Sequence, residues 1–228
     1  MSEKTLSFEN VGLAYRRNVG FWSSKNWVIN NLTFDLYKGE VLGVIGKNGA
    51  GKSTLLRLIA DIVKPNQGDI WRKPKTRAQL LTLGLGFNNQ LSGADNAIMS
   101  LVILGKSIKE AKSLISNIKD FSELDDLLNY PVSTYSSGEK ARLGFAIAIQ
   151  AKPDILLLDE MLGVGDKDFQ KKSSQELKKI VNSEQTVVLV SHSNVTLKQF
   201  CHRLLWIENG TNKAIGPCDH ILKEYLKK

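Results

Sequence analysis

The segment Gly46-Lys47-Asn48-Gly49-Ala50-Gly51-Lys52-Ser53-Thr54 decides the fold. Before it stands Glu40-Val41-Leu42-Gly43-Val44-Ile45, an apolar run that reads as a buried strand. After it, Leu55-Leu56-Arg57-Leu58-Ile59-Ala60 has the apolar spacing of a helix. Strand, glycine loop and helix in that order form the context of a phosphate-cradling loop. The glycines let successive backbone N–H groups turn toward one anion, and the helix adds its positive end. Lys52 is placed to neutralise β- and γ-phosphates, and Ser53 to offer its hydroxyl to Mg²⁺. The expectation is a chain that binds a nucleoside triphosphate.

Composition agrees with a soluble globular protein. The 228 residues suit one domain, or one domain with a smaller lobe, and 42% apolar against 24% charged residues allow a real core. The longest apolar candidate, Ile98 to Leu104, falls well short of the ~18 residues of a membrane span. Met1-Ser2-Glu3-Lys4-Thr5 is polar and lacks a signal peptide's apolar segment, so a cytoplasmic chain is expected. Cys201 and Cys218 have neither metal nor redox spacing and read as free thiols in a reducing compartment. The net charge of +8 leaves nucleic acid, an anionic membrane face and a merely solvated surface as readings. The basic residues are dispersed, without the aromatic interleaving of single-strand binders, so no nucleic-acid partner is expected.

Residues 5–37 alternate short extended runs with polar joints and suggest an antiparallel β-layer. The segment from Tyr15 to Trp27 reads as irregular; its aromatics could stack on a base or pack beneath the layer. Lys64-Pro65-Asn66-Gln67-Gly68 is a turn, followed by a short strand at Asp69-Ile70-Trp71. From 94 to 130 long helical patterns take over, at Asp95 to Leu104 and Ser107 to Phe121, as in a helical subdomain inserted into the core. Ser136-Ser137-Gly138-Glu139 opens another helix, Lys140 to Gln150, with the Ser-x-x-Glu spacing of a capping box. Such a helix start also attracts anions, so capping and phosphate binding are compatible there.

Ile155-Leu156-Leu157-Leu158-Asp159-Glu160 is a buried-strand run that ends in two acids, at the edge where open α/β sheets bind ligands. Asp159 suits Mg²⁺, and Glu160 suits the orientation or deprotonation of an attacking water. A third run, Thr186 to Val190, ends at Ser191-His192-Ser193. A lone histidine is more often structural, but His192 closes a strand of the same class and could reach a γ-phosphate. A terminal strand at Arg203 to Ile207, a turn at Asn209-Gly210 and a Lys-rich helix at His220 to Lys228 complete the chain.

In this order, GKNGAGKS (46–53), YSSGEK (135–140), ILLLDE (155–160) and VLVSHS (188–193) resemble the motifs of an ATP-binding cassette (ABC) ATPase, over essentially the whole chain. The spellings YSSGEKARLGFAIA, ILLLDEMLGVGDKDFQKK and LGLGFNNQLSGADN resemble the cassettes of bacterial polysaccharide exporters of the O-antigen, teichoic acid or capsule type. The resemblance implies a single nucleotide-binding domain over 1–228. Its fold is an α/β P-loop NTPase core with an antiparallel β-subdomain and an inserted helical subdomain at approximately 90–150. No C-terminal carbohydrate-binding domain is expected. It further implies ATP and Mg²⁺ as cofactors and a homodimer that sandwiches ATP between residues 46–54 of one copy and Ser136, Ser137, Gly138 and Glu139 of the other. Glu160 and His192 would be catalytic, Ser53 and Asp159 would hold the metal, and Tyr15 would stack on adenine. Asp166 falls in the stretch that contacts the opposite site. The partner would be an integral-membrane permease at the cytoplasmic face of the bacterial inner membrane, which handles the polysaccharide. The alternative is a soluble, non-transport cassette that acts on ribosomes or nucleic acid. Two departures stand out: Ser137 replaces the usual middle glycine, and the metal-contacting glutamine is not where expected. Gln90 sits too late in Leu83-Gly84-Leu85-Gly86-Phe87-Asn88-Asn89-Gln90 to carry that role, and the loop is expected to meet the permease instead.

Overall fold

Alternating apolar and polar residues at the start of the chain build a long hairpin: β1 (Lys4–Val19) pairs antiparallel with β2 (Trp22–Tyr37). The computed structural model describes residues 3–19, 22–81, 87–159, 166–181 and 183–227. Leu6, Phe8, Leu32, Phe34 and Leu36 are buried on one face, and the rings of Phe8 and Phe34 stack with centroids 4.7 Å apart. The stretch from Tyr15 to Trp27 is not irregular. Its ladder continues through Tyr15↔Asn26 and Arg16↔Lys25 to Val19↔Trp22. Periodicity misses it because the described side chains here are not buried (Tyr15 is 39% and Trp27 38% exposed), while the backbone pairing continues. Phe21 lies outside the described residues.

β3 (Val41–Ile45) leads through the glycine loop into α1 (Lys52–Ile59), and β4 (Gln67–Arg72) completes a three-stranded layer of order β2-β1-β4. The expected turn before β4 is tied down by Asn66, whose N–H donates to Gly12 O and whose Oδ1 accepts from Ala14 N–H. Among the described residues a second sheet has six strands, in the order β5 (Ala78–Leu81), β6 (Ile155–Asp159), β7 (Thr186–Val190), β3, β8 (Arg203–Glu208), β9 (Thr211–Pro217). β6, β7, β3 and β8 run parallel, and β9 is antiparallel to β8. Leu42, Val44, Leu55, Leu56, Leu157, Val188 and Leu205 join the β1–β2 apolar face in one core. These central strands read as unbroken apolar runs because both faces of a parallel sheet are covered.

The chain divides into two compact units: Met1–Leu80, Asp154–Glu160 and Lys178–Lys228 form one, and Leu81–Pro153 with Met161–Leu177 the other. The second is helical. It holds α2 (Gly93–Ile103), α3 (Ile108–Ser113), α4 (Ile115–Ser122), two 3₁₀ turns at Asp125–Asn129 and Val132–Thr134, and α5 (Ser137–Ala151). The single helix expected from Ser107 to Phe121 is broken at Leu114, which ends α3 and begins α4. Ala97, Leu101, Ile118, Leu128, Val132, Leu143 and Ile147 make this unit's own core. Asn96, fully buried, pins the preceding loop: its Oδ1 accepts from Asn88 N–H, and its Nδ2 donates to the carbonyls of Asn88, Leu91 and Ser92. α6 (Lys167–Val181) is rich in lysine but buries Phe169, Ser173, Leu177 and Ile180 along one stripe, and Phe169 packs edge-on against Phe121 and Phe145, each at 5.9 Å. α7 (Asn194–Phe200) and α8 (Cys218–Leu226) belong to the first unit. Among the described residues no helix is long and apolar enough to cross a membrane, and Cys201 and Cys218 are buried free thiols.

The Phe8–Phe34 stack should anchor the hairpin to the core. Phe8→Ala is expected to lower the unfolding free energy by about 3–5 kcal/mol in urea titrations. Trp71→Ala, at a half-exposed position, should change it by less than about 1 kcal/mol.

Candidate functional site

Strand register brings the candidate chemistry to one edge. Val190 of β7 lies opposite both Val44 of β3 and Asp159 of β6, so the three strands end at one level. β3 runs straight into the loop. Gly46 turns at φ 154° with its Cα so close to β8 that a Cβ would stand 2.3 Å from Ile207 O. Gly51 adopts φ 104°, where a Cβ would meet Ile29 Cδ1 at 2.7 Å and Val28 O at 2.9 Å. A side chain at either position would force the loop open.

Lys52 is buried at the head of α1 and folds back over its own loop: Nζ donates to Gly46 O at 2.8 Å and to Lys47 O at 3.1 Å. Gly51 caps α1 without a side chain and the first turn carries no acid, so its amide dipoles are not neutralised locally. Ser53 Oγ donates to Asp159 Oδ2 at 2.9 Å. These residues line a cleft of about 490 Å³ together with Val28, Asn48, Gly49, Thr54 and His192. A cationic ammonium, aligned amides and a hydroxyl–carboxylate oxygen pair suit a polyphosphate with a hard divalent cation. The oxygen pair matches the ligand preference of Mg²⁺.

Of the residues singled out from sequence, Gly49, Gly51, Lys52, Ser53, Thr54, Asn48, Asp159 and His192 share this cleft. Gly46 and Lys47 shape the loop through their carbonyls, and Ala50 N–H closes it onto Lys47 O at 3.1 Å. Tyr15 sits on β1 opposite Asn26 and is not among the lining residues. Glu160 and Leu83 to Gly86 lie outside the described residues. Val28, which no motif flags, lines the cleft from β2.

Ser136 to Glu139 lie in the helical unit, where the capping box forms as spaced. Ser136 Oγ accepts from Glu139 N–H at 3.2 Å, and Glu139 Oε2 accepts from Ser136 N–H at 2.7 Å. The Ser136 amide and hydroxyl hold the Glu139 carboxyl below its ordinary range. Ser137 and Gly138 form the first turn, and a Cβ on Gly138 would meet only Ser136 Oγ, at 3.9 Å. One turn on, Arg142 Nη2 reaches Asp166 Oδ2 at 3.2 Å, and its guanidinium lies 5.8 Å from the Phe169 ring centroid. Asp166 Oδ1 accepts from Phe169 N–H at 2.9 Å; that amide, with Arg142, keeps the Asp166 carboxyl low. The arginine was not singled out from sequence, although its place in the helix that follows the capping box, with a distant aspartate to meet, is the kind of signal that could have found it.

The family described as ABC transporter matches residues 29–163. The O-antigen export system ATP-binding protein RfbB of Klebsiella pneumoniae is 38% identical over 88% of this chain and 81% of its own length. The teichoic acids export ATP-binding protein TagH of Enterococcus faecalis is 40% identical over 87% of this chain. The corresponding protein of Lactococcus lactis is 39% identical over 90%. This chain spans 44% of the length of each of those two curated relatives. Among solved structures, an ATP-binding subunit of an ABC transporter superposes with a TM-score of 0.80 at 21% identity, covering 97% of this chain and 93% of that one. A dimeric ATP-binding cassette in a post-hydrolysis state with ADP and Pi gives 0.77 at 21% identity, covering 93% and 98%. These structures share the fold: a P-loop core, an antiparallel β-layer and an inserted helical unit.

Because Lys52 straps its own loop, Lys52→Ala is expected to abolish binding of a fluorescent ATP analogue and also to cost about 1.5–3 kcal/mol of stability in urea. The cap at α5 should depend on pH. The Glu139 carboxyl is held below its ordinary value of 4.5, so its contribution is present above that pH and is lost as pH falls through the lowered value. Glu139→Gln should therefore destabilise the chain at neutral pH, and the difference should shrink on acidification below pH 4.5.

Proposed function

Since the chain belongs to the ABC transporter family, we propose that it hydrolyses ATP to drive the export of a lipid-linked polysaccharide, of the teichoic acid or O-antigen type, through a membrane permease. The observation that carries the reading is the convergence of Lys52, Ser53, Asp159 and His192 on one cleft. The similar proteins named above are teichoic acid and O-antigen export ATP-binding proteins, and they supply the substrate class.

Within that scheme the triphosphate lies along the loop, with Lys52 exchanging its loop carbonyls for phosphate oxygens. Mg²⁺, held by Ser53 and Asp159, would offset the charge of the β- and γ-phosphates. Glu160 takes the proton of a water whose oxygen bonds to the γ-phosphorus as the β–γ bridging bond breaks. His192 contacts the γ-phosphate, and Tyr15 stacks on the adenine. A second copy supplies Ser136, Ser137, Gly138 and Glu139, so that the uncrowded helix start opposite Gly138 faces the nucleotide across the dimer. Closure of that dimer would be passed to the permease, which places the chain at the cytoplasmic face of the inner membrane. The other reading, a cassette acting on ribosomes or nucleic acid, has no comparable support.

Glu160→Gln is expected to lower ATP turnover by at least about 10²-fold with nucleotide binding retained. Co-expressed with its permease, the chain should sediment with membranes, and without the permease it should not; a chain that stays in the supernatant in both cases would overturn the export reading.

A further inference from the structure

In the dimer proposed above, the groups offered to the opposite nucleotide all lie on one short segment, Ser136 to Glu139, so the direction of the first turn of α5 matters. Tyr135 stands immediately before that turn. It is 5% exposed and packs in the helical unit's own core. Its hydroxyl donates to Leu127 O, in the first 3₁₀ turn, at 2.6 Å. The end of its ring lies over the first residue of α2: a Cβ on Gly93 would stand 2.2 Å from Tyr135 Oη and 3.1 Å from Cζ. The stretch that leads to Tyr135 is laced to the same neighbour. Gly93 N–H donates to Tyr130 O at 3.2 Å, Val132 N–H to Leu91 O at 3.0 Å and Ser133 N–H to Asn89 O at 2.9 Å. Burial, and after it the Glu139 carboxylate, pushes the phenol above its ordinary range, so it stays protonated and donating at neutral pH.

We propose that Tyr135 is a positioning residue for the nucleotide bound by the opposite copy: it aims the start of α5 by tying it to Leu127 and resting on Gly93. The helix cap does not need it, because Ser136 and Glu139 satisfy each other's amides without help. A phenylalanine would fill the same space in the core and lack only the bond. What the hydroxyl adds is direction. Bonds from helix-start amides to an anion weaken steeply away from the N–H line, so a small rotation of the turn forfeits them. This role rests on the composite site of the proposed dimer. Tyr135 then leaves the phosphate loop of its own chain untouched and acts on the site of the opposite copy.

Tyr135→Phe keeps the ring and removes the bond. At equal protein concentration its ATP turnover is expected to fall about tenfold, with affinity for the fluorescent ATP analogue unchanged. Gly93→Ala, which presses a methyl group on the same hydroxyl, should act likewise and serves if the first variant fails to fold. The deciding measurement mixes either variant one to one with Glu160→Gln, which has lost turnover by itself. One site of the mixed dimer then joins the loop and Glu160 of the Tyr135→Phe copy to an intact α5 start. Turnover of the mixture should exceed the mean of the two proteins assayed alone by about twofold or more. A role confined to folding, or to the chain's own site, gives only the mean. Three results would overturn the proposal: wild-type turnover in both variants, turnover lost together with binding of the ATP analogue, or a mixture at the mean. Should Glu160→Gln stay monomeric with ATP in light scattering, the dimer reading falls instead, and this role with it.

Discussion

The site depends on the hydrogen-bond register of three buried parallel strands. With Val44, Val190 and Asp159 at one level, the phosphate loop, the metal-suited carboxylate and His192 leave the sheet together. Side chains alternate faces along a strand, so a slip of one residue in β6 would turn Asp159 away from Ser53. Register of that kind is held by packing on both faces. Leu157, Val188 and Val44 belong to the same core that receives Phe8 and Leu32 from the antiparallel layer. The β1–β2 hairpin therefore supports the chemistry indirectly, by fixing the strands that deliver it.

The helical unit follows a different logic. Its core is its own, and its candidate contact surface is a helix start, where Ser136 and Glu139 satisfy each other's backbone amides. Next to them, a Cβ added to Gly138 would meet only Ser136 Oγ, at 3.9 Å. Arg142 then links this helix to Asp166, which itself begins α6. A charge at the head of one helix is thus tied to the arginine of another, beside the packed rings of Phe121, Phe145 and Phe169, although Asp166 itself remains open to solvent.

Much of this was legible in the sequence because it rests on local rules. The glycine loop, the three apolar runs and the capping box each announce themselves within ten residues, and Thr186 to Val190 and Ile155 to Asp159 form strands where their hydrophobicity places them. The missed features lack a local signal. The hairpin pairs on past Tyr15 and Trp27, both more than a third exposed, so no burial pattern marks that stretch. Leu114 breaks a helix whose composition is continuous. Asn96 looks like any polar helix residue until four backbone contacts converge on it. Val28 lines the cleft from β2, a segment that meets the phosphate loop only in three dimensions.

The strap from Lys52 to the carbonyls of Gly46 and Lys47 carries one more implication. A long, solvent-exposed lysine would have to give up its rotameric freedom when an anion arrives, a penalty of up to about 2 kcal/mol. Here that freedom is already gone and the loop is already round. An arriving phosphate meets a cradle set in advance, and swaps one set of oxygens for another around an ammonium that hardly has to travel. Capture should therefore be quick, with shape as its gatekeeper: ligands that cannot match the carbonyl pair they displace gain nothing by being negatively charged.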